Sequence, residues 1–147
     1  MSFGESLAPL LGRWVMAWFF LTQAYRYALD WNSTAILLTM KNVPIPPIIL
    51  LIVLVGLLLG SLSLVFGFRT RAGALALFTI TIAATVTLHD YWHIRAAAAR
   101  SADYDIFVRN VAIAGGLLLL IGMGSGRFGM DNAKGGAKPS GGKSGKR

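Results

Sequence analysis

Both histidines of this chain, His89 and His93, lie one helical turn apart where a long uncharged run ends in His89-Asp90-Tyr91-Trp92. Imidazole titrates near neutral pH and is biased by a nearby carboxylate or guanidinium, so His89 could accept a proton or hold a small polar headgroup. It could equally be the polar end of a helix bonded to its neighbours. Side chains four apart share a helical face, which also makes a metal conceivable. Only Asp90, Asp103 and Asp105 stand near enough to complete a ligand set, so no metal is expected. One haem bound by both histidines is excluded, because two side chains one turn apart cannot take opposite axial positions.

Other polar residues are spaced to join His89. Gln23, Arg26, Tyr27 and Asp30 follow one helical face, and Arg109-Asn110 sits inside another apolar block. An Arg at such depth should point into a bundle and find a carboxylate, with Asp90 and Asp105 as candidates. Tyr27 and Trp92 would add flat apolar walls beside polar donors. The expected cluster is Gln23, Arg26, Tyr27, His89, Asp90, Trp92, Arg109 and Asn110, acting as a ligand site or as a structural lock.

The elements that must carry this cluster are membrane spans. Hydrophobic residues make up 55% of the 147, charged residues only 14%, and the charges gather between apolar blocks. Ile45 to Phe68 and Ala72 to Leu88 are uncharged and near the length that crosses ~30 Å of hydrocarbon. Two more blocks are interrupted only by Arg13, Arg26 and Arg109. The expectation is an all-α, integral membrane four-helix bundle over residues 1–124, with spans near 7–29, 46–68, 72–92 and 105–123. Residues 125–147, rich in Gly and Lys, read as a flexible basic tail. Glu5 and the lack of a basic leader argue that the first span is retained. Between the first two spans, Ser33 could cap a short interfacial helix bearing Ile36, Leu37 and Met40.

Charge sets orientation and narrows the partners. The formal charge is +8, but five of the basic residues fall between Lys134 and Arg147, which beside four spans reads as a topology signal rather than nucleic-acid binding. Arg13, Arg69, Arg71, Arg127 and that tail share one side, giving cytoplasmic termini and an outward-facing His89 end. Gly56 and Gly60 allow close helix approach, inside the bundle or in a homo-oligomer. The absence of cysteine excludes disulfides, thiolate nucleophiles and thiolate-held clusters within the chain.

Several short elements occur in an order that resembles the DoxX family of small four-span bacterial membrane proteins. They are Leu11-Gly12-Arg13, Asn42-Val43-Pro44-Ile45-Pro46, Gly67-Phe68-Arg69-Thr70-Arg71, His89-Asp90-Tyr91-Trp92, Arg109 to Gly116 and Gly124 to Asp131. A Glu that family members often carry midway along the second span is absent around Leu57, and Arg109 stands where the family has Lys. The resemblance implies a bacterial inner-membrane protein, a subunit of or anchor for a quinone-linked or oxidative-stress oxidoreductase. It implies membrane or peripheral redox partners and a quinone at the outer cluster, with no intrinsic cofactor. The alternative is a non-catalytic assembly subunit that recruits partners. The residues themselves contain no self-contained catalytic motif.

Overall fold

The computed structural model describes residues 3–89, 91–126 and 129–133. Among these the elements are all helical: α1 (Phe3–Leu29), α2 (Trp31–Met40), α3 (Pro46–Phe66), α4 (Thr70–Leu88), a 3-10 turn (Tyr91–His93), α5 (Ala97–Met123) and a one-turn α6 (Met130–Ala133). Three of them, α3, α4 and α5, are long and apolar enough to cross a membrane. The fourth long helix, α1, is 27 residues and carries Arg13 and Arg26. It packs antiparallel along α3 and supplies Ala17, Phe20 and Ala24 to the shared core with Leu57, Leu64, Ala74, Leu77 and Leu117. Large apolar side chains such as Leu59, Leu119 and Val15 point outward, as a protein dissolved in lipid requires.

Lipid tails are as apolar as leucine, so the helices are held by close packing and satisfied polar groups rather than by exclusion from water. Gly56 and Gly60 serve that packing within the chain. A Cβ on Gly60 would lie 2.6 Å from Leu77, and one on Gly56 would lie 2.6 Å from Ile80. The glycine pair therefore belongs to the α3–α4 contact, and oligomerisation through it finds no support. Buried hydroxyls stay within their own helices: Ser61 donates to the Leu57 carbonyl, Thr81 to Leu77 and Thr85 to Thr81.

The end of the bundle at the α3–α4 turn, called inner by the charge-based expectation and the opposite end outer, is locked by charges on helix termini. Arg13 is 1% exposed, and its guanidinium donates to the carbonyls of Leu64 at 3.0 Å, Val65 at 3.3 Å and Ser125. Two of these carbonyls are in the last turn of α3, where helical backbone has no partner of its own. Asp131 answers the opposite pole. Its carboxylate accepts the Arg69 N–H at 2.6 Å and the Thr70 N–H at 2.9 Å, capping α4 from sixty residues away in sequence. Its own N–H donates to the Gly67 carbonyl at 3.1 Å. Gly67 has φ +65, and a Cβ there would strike Arg13 and Gly129. Arg71 in turn reaches the Gly122 carbonyl near the end of α5 at 3.3 Å. Ser125, Gly126 and Gly129–Asp131 are thus docked on the α3–α4 turn, where the sequence suggested the flexible tail had already begun. Residues 134–147 lie outside the described residues.

Helix ends differ from expectation at the other face. α4 stops at Leu88 with His89 as its cap, its N–H donating to Thr85, and the next turn is 3-10. α5 begins at Ala97, eight residues before the expected 105. The cause is an aromatic cluster: Tyr91 meets Trp92 at 5.1 Å, Tyr104 at 5.2 Å and Phe107 at 5.3 Å, edge to face, which holds the 3-10 turn against α5. α2 starts at Trp31 behind Asp30, not behind Ser33, and makes no side-chain cap.

Two outcomes follow. Gly60→Val should destabilise the chain by roughly 1–3 kcal/mol through overpacking against Leu77. Thermal unfolding in detergent should show the loss, while light scattering shows an unchanged oligomeric state. Asp131→Ala should cost about 1 kcal/mol as a lost helix cap. Burial alone would raise the Asp131 carboxyl, but the Thr70 and Arg69 N–H groups and the charge of Arg13 hold it below the ordinary carboxylate value. A folded pKa below the unfolded one stabilises in full above the ordinary carboxylate range, and that contribution fades as pH falls through the lowered value. The difference in melting temperature between the two proteins should therefore shrink on acidification.

Candidate functional site

The outer half of the bundle does not close. All five long elements line a cavity of about 590 Å3 there, within the size range of small-molecule sites. Its floor is apolar: Phe20, Leu50, Val53, Leu57 and Ile80. Its rim is polar: Gln23, Arg26, Tyr27 and Asp30 from α1 and its end, Thr34 from α2, His89 beyond α4, and Asp103, Arg109 and Asn110 from α5. From rim to floor along α4, His89 to Thr81 is a little over two turns, about 12 Å. Val43 closes one side in a tight loop where Asn42 and Ile45 adopt left-handed φ of 56 and 47 before Pro46 starts α3.

Six of the eight expected site residues line this cavity: Gln23, Arg26, Tyr27, His89, Arg109 and Asn110. Asp90 lies outside the described residues. Trp92 is not at the cavity; it is 52% exposed and packs on Tyr91 and Phe107 in the aromatic cluster. With α4 ending at Leu88, Trp92 no longer continues the Thr81–Thr85–His89 face, which removes the reason for placing it inside.

The pairing within the rim was not foreseen. His89 Nδ1 lies 2.8 Å from Asp103 Oδ1, tying the end of α4 to α5. Asp103 Oδ2 is buried without a hydrogen-bond partner among the described residues. Because α5 begins at Ala97, Asp103 lies on its second turn, level with His89. Arg109 is exposed at the rim, with its guanidinium carbon 6.0 Å from the centre of the Phe19 ring. It does not pair with Asp105. Among the described residues neither Arg26 nor Arg109 has a carboxylate within ion-pair distance. Arg26 and Tyr27 from α1 and Arg109 from α5 all line the cavity at its rim.

Sequence reasoning also missed α2 as a cavity wall, through Thr34, Leu37 and Leu38, and it took Arg13 only as a topology charge. The depth of Arg13 inside an apolar block was the available signal, as it was for Arg109. Among the described residues no group of three or more His, Asp or Glu gathers in a way that could hold a metal ion.

No curated protein and no solved structure matches the chain. The family model that matches is that of the SURF4 family, over residues 36–136. This overturns the DoxX resemblance, and with it the quinone-linked or oxidative-stress oxidoreductase role; the match lends no specific support to the alternative of an assembly subunit. The elements that carried the resemblance have local structural work in this bundle. Gly67 is a left-handed helix cap, Pro46 opens α3, Arg13 bonds to helix-end carbonyls and Asp131 caps α4. Any helical bundle with short turns needs such residues, so their order says less about kinship than it suggests. The helices and the match together make this a multi-pass membrane protein, and with well over half its length matched the chain belongs to the SURF4 family.

Proposed function

We propose that the outer cavity binds an amphiphile taken from the membrane, with its apolar body on the Phe20–Leu57 floor and its polar end at the Arg26–His89–Arg109 rim. The observation that carries this reading is the polarity gradient along one cavity inside a membrane bundle. A water-soluble solute would gain nothing from the apolar floor, and a purely apolar one would strand the rim. Below the floor the packed core of Ala17, Leu64, Ala74, Leu77 and Leu117 leaves no polar path onward, which favours binding over passage. The His89–Asp103 bond fixes the relation of α4 to α5 at the mouth, keeping the rim in shape. On the charge distribution, the mouth faces away from the cytoplasm, which in a bacterial inner membrane is the periplasmic side.

Two measurements test the reading. Full-length protein purified in mild detergent should carry a stoichiometric amphiphile, identified by native mass spectrometry and lipid extraction. Ala84→Phe, which fills the cavity without altering a charge, should reduce its occupancy roughly tenfold or more at unchanged helix content. Equal occupancy in the variant would sink the proposal. For orientation, the cysteine-free chain is a ready background. Arg95→Cys should react with an impermeant maleimide applied to intact cells, and Arg69→Cys should react only after lysis.

A further inference from the structure

We infer that the polar end of the bound amphiphile is anionic, a phosphate or carboxylate held between Arg26 and Arg109. The inference rests on the amphiphile-binding reading and specifies its chemistry.

The charged and titratable groups described around the cavity are Arg26, Tyr27 and Asp30 from α1 and its end, His89 beyond α4, and Asp103 and Arg109 from α5; none comes from α2, α3 or the rest of α4. Asp103 is engaged with His89 through Oδ1 at 2.8 Å, while its Oδ2 is buried without a partner among the described residues. Asp30 is exposed beyond the end of α1 and is not within ion-pair distance of Arg26. Two guanidinium groups, one on α1 and one on α5, are therefore left without a carboxylate among the described residues while lining the same cavity. Cations at a membrane mouth are costly unless paired or given water. Two of them converging from different helices are a site for a bidentate oxyanion, the geometry that guanidinium serves best. The hydroxyl of Tyr27 and the side-chain amides of Gln23 and Asn110 add neutral donors on the same arc.

The placement also separates a lipid headgroup from a free anion. The arginines stand at the top of a cavity whose remaining depth is mainly apolar, the hydroxyls of Thr79 and Thr81 there being bonded within α4. A free phosphate would meet the rim alone, whereas an anionic amphiphile engages rim and floor together.

The test is a binding series on the full chain in uncharged detergent micelles, read by native mass spectrometry and thermal shift. The probes are dioctanoyl phosphatidic acid, dioctanoylglycerol and inorganic phosphate. Phosphatidic acid should bind about tenfold or more tighter than the glycerol with the same tails. Arg109→Gln and Arg26→Gln should each reduce that preference, lowering phosphatidic acid binding by much more than dioctanoylglycerol binding. Arg109→Lys, which keeps charge but loses the fork, should retain part of it. Inorganic phosphate should bind weakly in all variants. Equal binding of both lipids, or a preference that survives the double Arg→Gln variant, would overturn the anionic headgroup and leave the amphiphile site standing. Phosphate binding as tight as phosphatidic acid would overturn the lipid source. No binding of either lipid would overturn the amphiphile reading itself. Helix content and the Ala84→Phe variant distinguish these results from misfolding.

Discussion

The bundle depends on how the ends of its helices are satisfied. Inside hydrocarbon a backbone carbonyl without a donor costs several kcal/mol, and water is not at hand to supply one. Arg13 resolves this for α3 with one fully buried guanidinium that bonds to Leu64, Val65 and Ser125. Asp131 does the same for the start of α4 with the opposite charge. Each group also lies on the favourable pole of a helix dipole, cation at a C-terminus and anion at an N-terminus. Because Arg13 comes from α1 and Asp131 from beyond α5, the same bonds that satisfy the backbone hold first and last helices to the central α3–α4 hairpin.

That hairpin is packed through glycine, and the packing explains why the two halves of the molecule differ. Gly60 and Gly73 bring α3 and α4 together against Leu77 and Ser63, near the inner end. With α1 drawn in by Arg13, the inner half is filled. Toward the outer face α4 presents small residues, Ala83 and Ala84, to the cavity rather than to a glycine of α3, and no charge lock joins α1 to α5 among the described residues. The helices separate there, α2 lies across the gap, and a cavity results. The His89–Asp103 bond and the Tyr91–Trp92–Phe107 cluster brace that end, and both tie the segment that ends α4 to α5 rather than closing the space.

Much of this was legible in sequence, for physical reasons that also set the limits. Three spans were readable because hydrocarbon thickness imposes length and apolarity on any helix that crosses it. The convergence of Gln23, Arg26, Tyr27, His89, Arg109 and Asn110 was readable because helical periodicity and alternating direction place them at one face. The partner of His89 was not. Asp103 is fourteen residues away, and its level depends on α4 stopping at Leu88 and α5 starting at Ala97, which aromatic contacts between the two decide. Trp92 was misplaced for the same reason, since a helix continued on paper carries every later residue to the wrong azimuth. The Gly56–Gly60 pair could be read as close packing but not as to whom, because a small residue marks an approach and not a partner. The DoxX resemblance failed more deeply. It rested largely on turn and cap residues, such as Gly67, Pro46 and Asp131, which record how helices end and not what the bundle does.

The arginines of this chain also answer the question that those helix ends raise. Arg13 and Arg71, at the inner end, each reach carbonyls at helix termini. Arg26 and Arg109, at the outer end, reach neither carbonyl nor carboxylate among the described residues, although α1 and α5 also end or begin near that face. The difference is not one of residue type or of depth in the bundle alone, since Arg13 is the deeper and the better bonded. It lies in what each arginine faces. The inner pair faces backbone that needs donors, and the outer pair faces a cavity with an apolar floor. A guanidinium that stabilises the fold spends its donors on the chain. On the amphiphile reading, one that keeps its donors for a cavity instead lowers the free energy of the complex with an anion.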